Sequence, residues 1–353
     1  MIAAKKYIRF ILLQIIPLSI MTCHAGTLAG KNYLSHDSTI AEAYHLAERV
    51  LGDRAGSFLF KYFENDTVHN AFEVSSSGDT IVIKGNSGIN LASGLNWYLN
   101  HYCNAQFTVI DEHIDLPSRL PLPGKATLIR TPFKYRYFFN ICTFGYTMAW
   151  WGWEEWERQI DWMAMNGVNM PLAITGQEAV WYDVYRELGL TDAQINDFIT
   201  VPAYFPWGWM GNIDGLGGPL PASWRESHIE LQRKIVNRER ALGMTPVLQG
   251  FTGNIPESLV KIFPDANDTL FLASMNRSVY RAMSSADPEA IWVLQGWFLY
   301  YQKEFWKEPQ SKTFISAVPD DKMILLATGL KTQGGGEKHR KKKRFMNGMQ
   351  KTR

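Results

Sequence analysis

Residues Tyr135 to Glu178 read YRYFFNICTFGYTMAWWGWEEWERQIDWMAMNGVNMPLAITGQE, and this stretch decides the fold. Its aromatic, β-prone opening, Tyr135 to Cys142, predicts a buried strand. A loop crowded with Tyr146, Trp150 and Trp151 follows. Trp153, Trp156, Ile160 and Met163 then fall on one face of a helix. Glu154 and Glu155 stand in its first turn, where the helix dipole favours carboxylates, and Gly167 is placed to end it. The apolar run Val168 to Ile174 predicts a second strand, which leads into Thr175-Gly176-Gln177-Glu178. Strand, loop, helix, strand is a βαβ unit, and its parallel strands put both following loops at one end of the sheet. In α/β enzymes that end is where ligands bind.

The same alternation continues toward the C-terminus. Met244–Phe251, Ile291–Trp297 and Met323–Ala327 are strand-like, with helices between them. Two helix starts carry capping boxes, Thr191 with Gln194 and Ser223 with Glu226. The stretch Thr200–Pro221, with Trp207-Gly208-Trp209 and Gly215 to Gly218, reads as a long loop above a strand end. The fold class expected is α/β, a (β/α)8 TIM-type barrel, incomplete because only five strands are legible. Upstream, residues 27–125 predict a small α/β domain. Its helices are Ser38 to Leu51 and Asn90 to Tyr102. Its strands, Ala71–Val74 and Thr80–Lys84, are joined by the turn Ser75-Ser76-Ser77-Gly78-Asp79. Pro117, Pro121, Pro123 and Gly124 mark its boundary.

Both ends differ in character from the body. Lys5, Lys6 and Arg9 precede an apolar run from Phe10 to Met21, and Cys23-His24-Ala25 offers small residues to a signal peptidase. Residues 1–25 therefore predict a secretory signal, too short in its apolar part to span a bilayer. The alternative is a lipid anchor on Cys23 in the loose box Ile20-Met21-Thr22-Cys23. Either way the chain is expected to be exported: periplasmic, cell-surface or secreted, and lysosomal in a eukaryote. Residues 331–353 hold nine Lys or Arg and one Glu, and they predict a disordered, solvated tail. Without these ends, residues 26–330 carry 24 basic against 33 acidic groups, a net charge of −9. An acidic body argues against nucleic acid as a partner. Cys103 and Cys142 make no disulfide framework, and no Cys/His set has zinc spacing. Eight of the 13 Trp lie between Trp150 and Trp209, which favours a core or a sugar-stacking surface over a linker.

The motifs in this body are long. They include Tyr135-Arg136-Tyr137 with Asn140 and Cys142, Trp150-Trp151, and Trp156-Glu157-Arg158 with Ile160-Asp161-Trp162-Met163-Ala164. Gly176-Gln177-Glu178-Ala179, Trp207-Gly208 with Met210-Gly211-Asn212, Gly243 to Leu248 and Trp292 to Trp297 complete the set. Residues from about 131 to 267 resemble the catalytic barrel of the α-N-acetylglucosaminidases, family 89 of the glycoside hydrolases. Residues 27–125 are similar to that family's small N-terminal domain. The resemblance implies removal of a terminal α-linked N-acetylglucosamine from glycans with retention of configuration, with no metal or organic cofactor. Retaining chemistry needs two carboxyl groups roughly 5 Å apart, a proton donor and a nucleophile. In the family the donor sits in an Asn-Glu-Met segment at a middle strand end, and the nucleophile at a later one.

Neither segment is recognisable. Family members carry several tens of residues where this chain runs Pro264-Asp265-Ala266-Asn267-Asp268-Thr269-Leu270 directly into Phe271-Leu272-Ala273. After Met323-Ile324-Leu325-Leu326, Ala327-Thr328-Gly329 stands where an acidic strand end is expected. An internal deletion together with a shifted reading frame would produce both features. No catalytic residue is therefore assigned. The expectation is an exported, truncated glycoside hydrolase of this family, inactive in this chain because both catalytic segments are missing; the alternatives are a non-catalytic sugar-binding relic or a product that does not fold.

The substrate-binding candidates each have a plainer explanation. Asn140, Cys142 and Tyr146 follow the first strand and by resemblance line the sugar pocket; alone, the pattern fits strand-end packing. Trp207 and Trp297 look like pocket walls, although most Trp here fit a core. Gln177 and Glu178 end the second strand, where a carboxylate either accepts hydrogen bonds from sugar hydroxyls or caps the next helix. Three Asn-X-Ser/Thr triplets, at Asn65, Asn267 and Asn276, match the glycosylation pattern.

Overall fold

The computed structural model describes residues 35–63, 70–210, 212–250, 255–264, 281, 284–285, 287–295 and 323–326. The expected signal peptide with Cys23, the glycosylation triplets, Trp297 and the basic C-terminal residues lie outside the described residues. Among those described, no helix is long and apolar enough to cross a membrane.

The N-terminal part is a four-stranded mixed sheet with two helices. Helix α1, His36–Leu51, starts two residues before the expected Ser38, because the Ser35 side chain caps it by accepting from Ser38 N–H (3.1 Å). Strand β1, Phe58–Tyr62, is not among the strands expected from the sequence. Strands β2, Ala71–Ser77, and β3, Thr80–Gly85, form the expected hairpin. Both run further than their apolar cores, so the turn shrinks to Gly78-Asp79, with Gly78 at φ +59°. Helix α2, Gly88–Tyr102, begins at a Ser87 cap and presses its apolar face on the sheet. A short ladder, β4 (Gln106–Phe107) with β5 (Glu112–His113), follows. Strand β6, Thr127–Arg130, then pairs antiparallel with Ala71–Val74, so the sheet draws its last strand from beyond the proline-rich stretch. The sheet order is β1-β3-β2-β6, with β1 parallel to β3. Leu46, Ile81, Ile83, Leu91, Leu95 and Leu99 are fully buried in its core.

From residue 131 the barrel pattern begins. Strand β7 is only Tyr137–Phe138, far shorter than the expected Tyr135–Cys142. The cause is Phe139, which takes φ +76° and turns the chain off the strand into two 3-10 turns, Ile141–Gly145 and Thr147–Trp150. Helix α3, Trp153–Met165, matches its periodicity: Glu155 accepts from Gly152 N–H (2.9 Å), and Gly167 ends the helix at φ +75°. Strand β8, Met170–Pro171, lies parallel to β7, and Leu172 bridges in parallel to Val247. Hydrogen bonds from Leu172 N–H to Phe138 O (3.1 Å) and from Val247 N–H to Pro171 O (2.8 Å) tie three successive chain passes in sequence order. A helix separates each pass from the next, as in the opening of a (β/α)8 barrel.

Between the second and third passes lie α4 (Gln177–Glu187), α5 (Asp192–Phe198), α6 (Phe205–Trp209) and α7 (Ala222–Ala241). The Thr191–Gln194 capping box forms as expected. The Ser223–Glu226 box does not: Pro221 occupies the N-cap and Ser223 is already helical. Helix α8, Glu257–Ile262, and a parallel pair, β9 (Trp292–Gln295) with β10 (Met323–Leu326), complete the described elements.

The chain divides into two compact units. One comprises the described residues through Val184, with Val201–Pro206 and Pro219–Leu248; the other comprises Tyr185–Thr200, Trp207–Gly218 and the described residues from Gln249. Within the first unit a charge network joins three helices. Arg49 of α1 donates through Nε and Nη2 to Asp161 of α3, both at 2.7 Å, and Glu157 of α3 accepts from Arg238 of α7 at 2.9 Å.

Candidate functional site

The strand-end loops are held by backbone features that sequence patterns do not reveal. At the end of β7, Phe139 is a bulky residue in the left-handed region, a conformation costing about 1–3 kcal/mol and concentrated at functional sites. Its ring packs on Phe138, Phe144 and Trp156, which offsets that strain. The next residue, Asn140, is exposed. Its Oδ1 accepts from Thr143 N–H (3.1 Å), so it caps the following turn and leaves Nδ2 for a ligand. Cys142 is a half-buried free thiol in that turn. Tyr146 ends the turn with 59% of its surface exposed.

At the end of the second strand, Gly176 takes φ +74°, and a Cβ there would sit 2.9 Å from the His228 carbonyl. Only glycine lets the loop approach α7 this closely. Gln177 and Glu178 then open α4, Gln177 half-buried and Glu178 2% exposed. Burial pushes the Glu178 carboxyl up to about 7, opposed by the Trp224 indole N–H and the Arg225 guanidinium. Neither Glu178 oxygen, nor Trp224 Nε1, completes a hydrogen bond of good geometry. Arg225 lies over the Tyr182 ring at 3.7 Å. Trp224 stacks on His228 (4.0 Å) and meets Trp150 edge-on (5.7 Å).

β7 and β8 are adjacent and parallel, so the loops carrying Asn140, Cys142 and Tyr146 emerge at the same sheet end as Gln177 and Glu178. Trp207 belongs to the second unit, where it is half-buried in α6 and its carbonyl accepts from Asn212 N–H (2.8 Å). Trp224, Arg225 and Tyr182 were not singled out from the sequence. A Trp-Arg pair at a helix start has no pattern of its own; its meaning comes from the carboxyl it meets. Among the described residues, no cluster of three or more His, Cys, Asp or Glu could hold a metal ion.

An α/β chain that opens with parallel βα units and gathers aromatic and amide side chains at the strand ends has the architecture of a barrel-type carbohydrate enzyme. The comparisons sharpen this. The family model "Alpha-N-acetylglucosaminidase (NAGLU) tim-barrel domain" matches residues 136–270 and 264–349, and the corresponding N-terminal domain model matches 41–122. The chain belongs to the α-N-acetylglucosaminidase family of glycosidases. Human alpha-N-acetylglucosaminidase is 36% identical over 306 residues, covering 69% of this chain and 41% of the human protein. A family 89 glycoside hydrolase from Clostridium perfringens, in complex with 2-acetamido-1,2-dideoxynojirmycin, superposes with a TM-score of 0.75 at 28% identity, covering 87% of this chain and 41% of that one. A variant of that enzyme with two Glu→Gln changes, in complex with its substrate GlcNAc-α-1,4-galactose, matches with the same score, identity and coverage. The chain thus spans about two-fifths of the length of these relatives. The second barrel match runs to residue 349, across much of the basic stretch that composition set apart.

Proposed function

We propose that this chain is an exported α-N-acetylglucosaminidase-type protein that binds a terminal α-linked N-acetylglucosamine and does not hydrolyse it. The observation that carries the second half is the seam in the barrel match. The family model fits in two pieces that meet at residues 264–270, where the sequence runs Pro264-Asp265-Ala266-Asn267 straight on toward Phe271. The alignment to the human relative points the same way: 69% of 353 residues is fewer than 306, so the aligned stretch is longer on the relative's side. The missing interval is where the Asn-Glu-Met segment of the family would fall. Splitting the bond with retention takes two carboxyls about 5 Å apart. Among the described residues at the strand ends, Glu178 is the one carboxyl, and burial favours its neutral form up to near pH 7. A neutral carboxyl can donate to a sugar oxygen, but among the described residues no second carboxylate stands beside it to attack.

The sugar-holding half rests on Asn140, Cys142, Tyr146, Gln177 and Glu178 at one sheet end; Trp207 and Trp297 are carried by the family resemblance alone. Export rests on the signal-like residues 1–25, and the domain limits proposed are those given by the sequence except that the N-terminal domain extends to Arg130 to include β6. Hydrolysis of an aryl α-N-acetylglucosaminide by the purified chain is expected to stay at the buffer rate. Calorimetric titration with N-acetylglucosamine is expected to give saturable binding that Tyr146→Ala weakens. Turnover abolished by Glu178→Gln would overturn the non-catalytic reading; absence of any binding would overturn the other half.

A further inference from the structure

We propose that the groove between the N-terminal halves of α3 and α7 is a second sugar-binding surface, one that takes a neutral pyranose of a glycan longer than the terminal residue. The groove measures about 390 Å³, within the range of small-molecule sites, and its walls are mostly apolar. Trp150, Trp151 and Trp153 form one side; Trp224, His228 and Lys234 form the other. Every one of these residues belongs to the first compact unit.

Several features single out a sugar as the occupant. Trp150 leaves 64% of its surface in solvent although it sits in an ordered turn between buried Ala149 and half-buried Trp151. A large indole face held open in this way suits the C–H face of a pyranose, which needs a flat apolar wall beside polar rims. The polar rim is present and is close to neutral in charge. Lys234 supplies donors, and Glu230, which pairs with Arg233, supplies acceptors. Burial pushes the His228 imidazole down, so near pH 7 its ring is neutral; Nδ1 meets the Trp224 carbonyl at 2.9 Å. One cation against one anion favours uncharged hydroxyls over a sulfated or carboxylated chain.

The groove borders the candidate site through Trp224 and Trp150. Trp224 touches Trp150 on the groove side and approaches the Glu178 carboxyl on the other. Trp150 follows directly on the turn that begins after Tyr146. A glycan whose end is held at Asn140 and Tyr146 would therefore extend over Trp150. In this respect the inference rests on the proposed sugar-holding function, although the groove itself does not depend on it.

The test is calorimetric titration of the full 353-residue chain with three probes: N-acetylglucosamine, a neutral tetrasaccharide ending in α-linked N-acetylglucosamine, and a sulfated tetrasaccharide of equal length. The neutral tetrasaccharide is expected to bind at least tenfold more tightly than the monosaccharide. Trp150→Ala, at an exposed position, is expected to remove that gain while leaving monosaccharide affinity unchanged, with a circular dichroism spectrum like the parent's. Tyr146→Ala should do the reverse. Equal affinity of parent and Trp150→Ala for the neutral tetrasaccharide overturns the inference. So does preferential binding of the sulfated probe that is lost in Lys234→Ala but not in Trp150→Ala. Trp150-dependent tetrasaccharide binding without any monosaccharide binding would instead uphold the groove and refute the pocket.

Discussion

Residues 35–130 and the stretch from Thr131 onward settle their buried polar groups differently. Among the described residues, none of the buried side-chain nitrogens and oxygens without a partner lies in the first region. All twelve lie between Trp156 and Ser284, including both oxygens of Glu178 and of Glu239. Exposed large apolar side chains follow the same division. Ile110, Leu122 and Leu128 are the three in the first region, against ten from Phe133 onward. The first region is a finished layer, with a sheet whose exposed face is largely polar and helices whose cores are dry. The second leaves more of its buried polar groups unpaired and more of its large apolar side chains in solvent. Each unpaired buried group costs about 1–3 kcal/mol, so the barrel segment carries a burden that the N-terminal layer does not.

Four substitutions test that contrast. The largest effect should come from Asp161→Ala, which strips the partner from Arg49 and leaves a guanidinium half-sunk between α1 and α3. Removing one side of such a pair costs about 3–5 kcal/mol, read as a lowered urea midpoint. An unchanged midpoint would mean that the two regions are not joined through this clasp.

Next comes Glu178→Gln. The folded carboxyl holds its proton to about pH 7, whereas the unfolded one loses it near its ordinary value of 4.5. Stability should therefore fall as pH rises from about 4.5 to 7 and level off above that. The 2.5-unit gap corresponds to about 3 kcal/mol at the plateau. Gln cannot ionise, so the variant should melt higher than the parent at pH 8 and alike at pH 4. Glu239, whose carboxyl burial also raises, keeps some of the slope in both proteins. A variant that melts lower at pH 8 would show that Glu178 has partners after all, and the contrast would weaken.

Gly94→Ala probes the finished layer. A methyl at Gly94 would stand 2.6 Å from Ile83 Cγ2 and 3.3 Å from the Phe72 ring, so overpacking should cost about 1–3 kcal/mol in thermal unfolding. No loss would mean that the layer is looser than its burial implies. The smallest effect is expected from Ser87→Ala, which removes the cap that accepts from Asn90 N–H and should cost about 1 kcal/mol.

The same two regions show what a sequence can and cannot disclose. Helix α3 was legible because Trp156, Ile160 and Met163 repeat at helical spacing, its acidic first turn obeys the dipole, and Gly167 stops it. The Thr191 box was legible for a similar local reason. Strand β7 was overestimated because Tyr135 to Cys142 is mostly aromatic and β-prone, with Asn140 the one local sign of a break, and nothing local announces that Phe139 takes a positive φ. Long-range packing sets that φ, through Phe144 and Trp156. Helix α7 was misread at its start because Ser223 and Glu226 mimic a box that Pro221 pre-empts. Asn140 and Glu178 were singled out through motif likeness. The neighbours that tune Glu178 come from α7, a contact between distant parts of the chain that spacing does not encode.

The Arg49–Asp161 clasp also bears on how the chain is made. Its two ends are 112 residues apart, so at a synthesis rate of about 5–20 residues per second Arg49 waits roughly 6 to 20 seconds for its carboxylate to leave the ribosome. The last strand of the N-terminal sheet, ending at Arg130, emerges well inside that interval. Helix α1 can thus settle on its own sheet first and offer a ready-made dock to α3, so that the direction of translation itself orders the assembly.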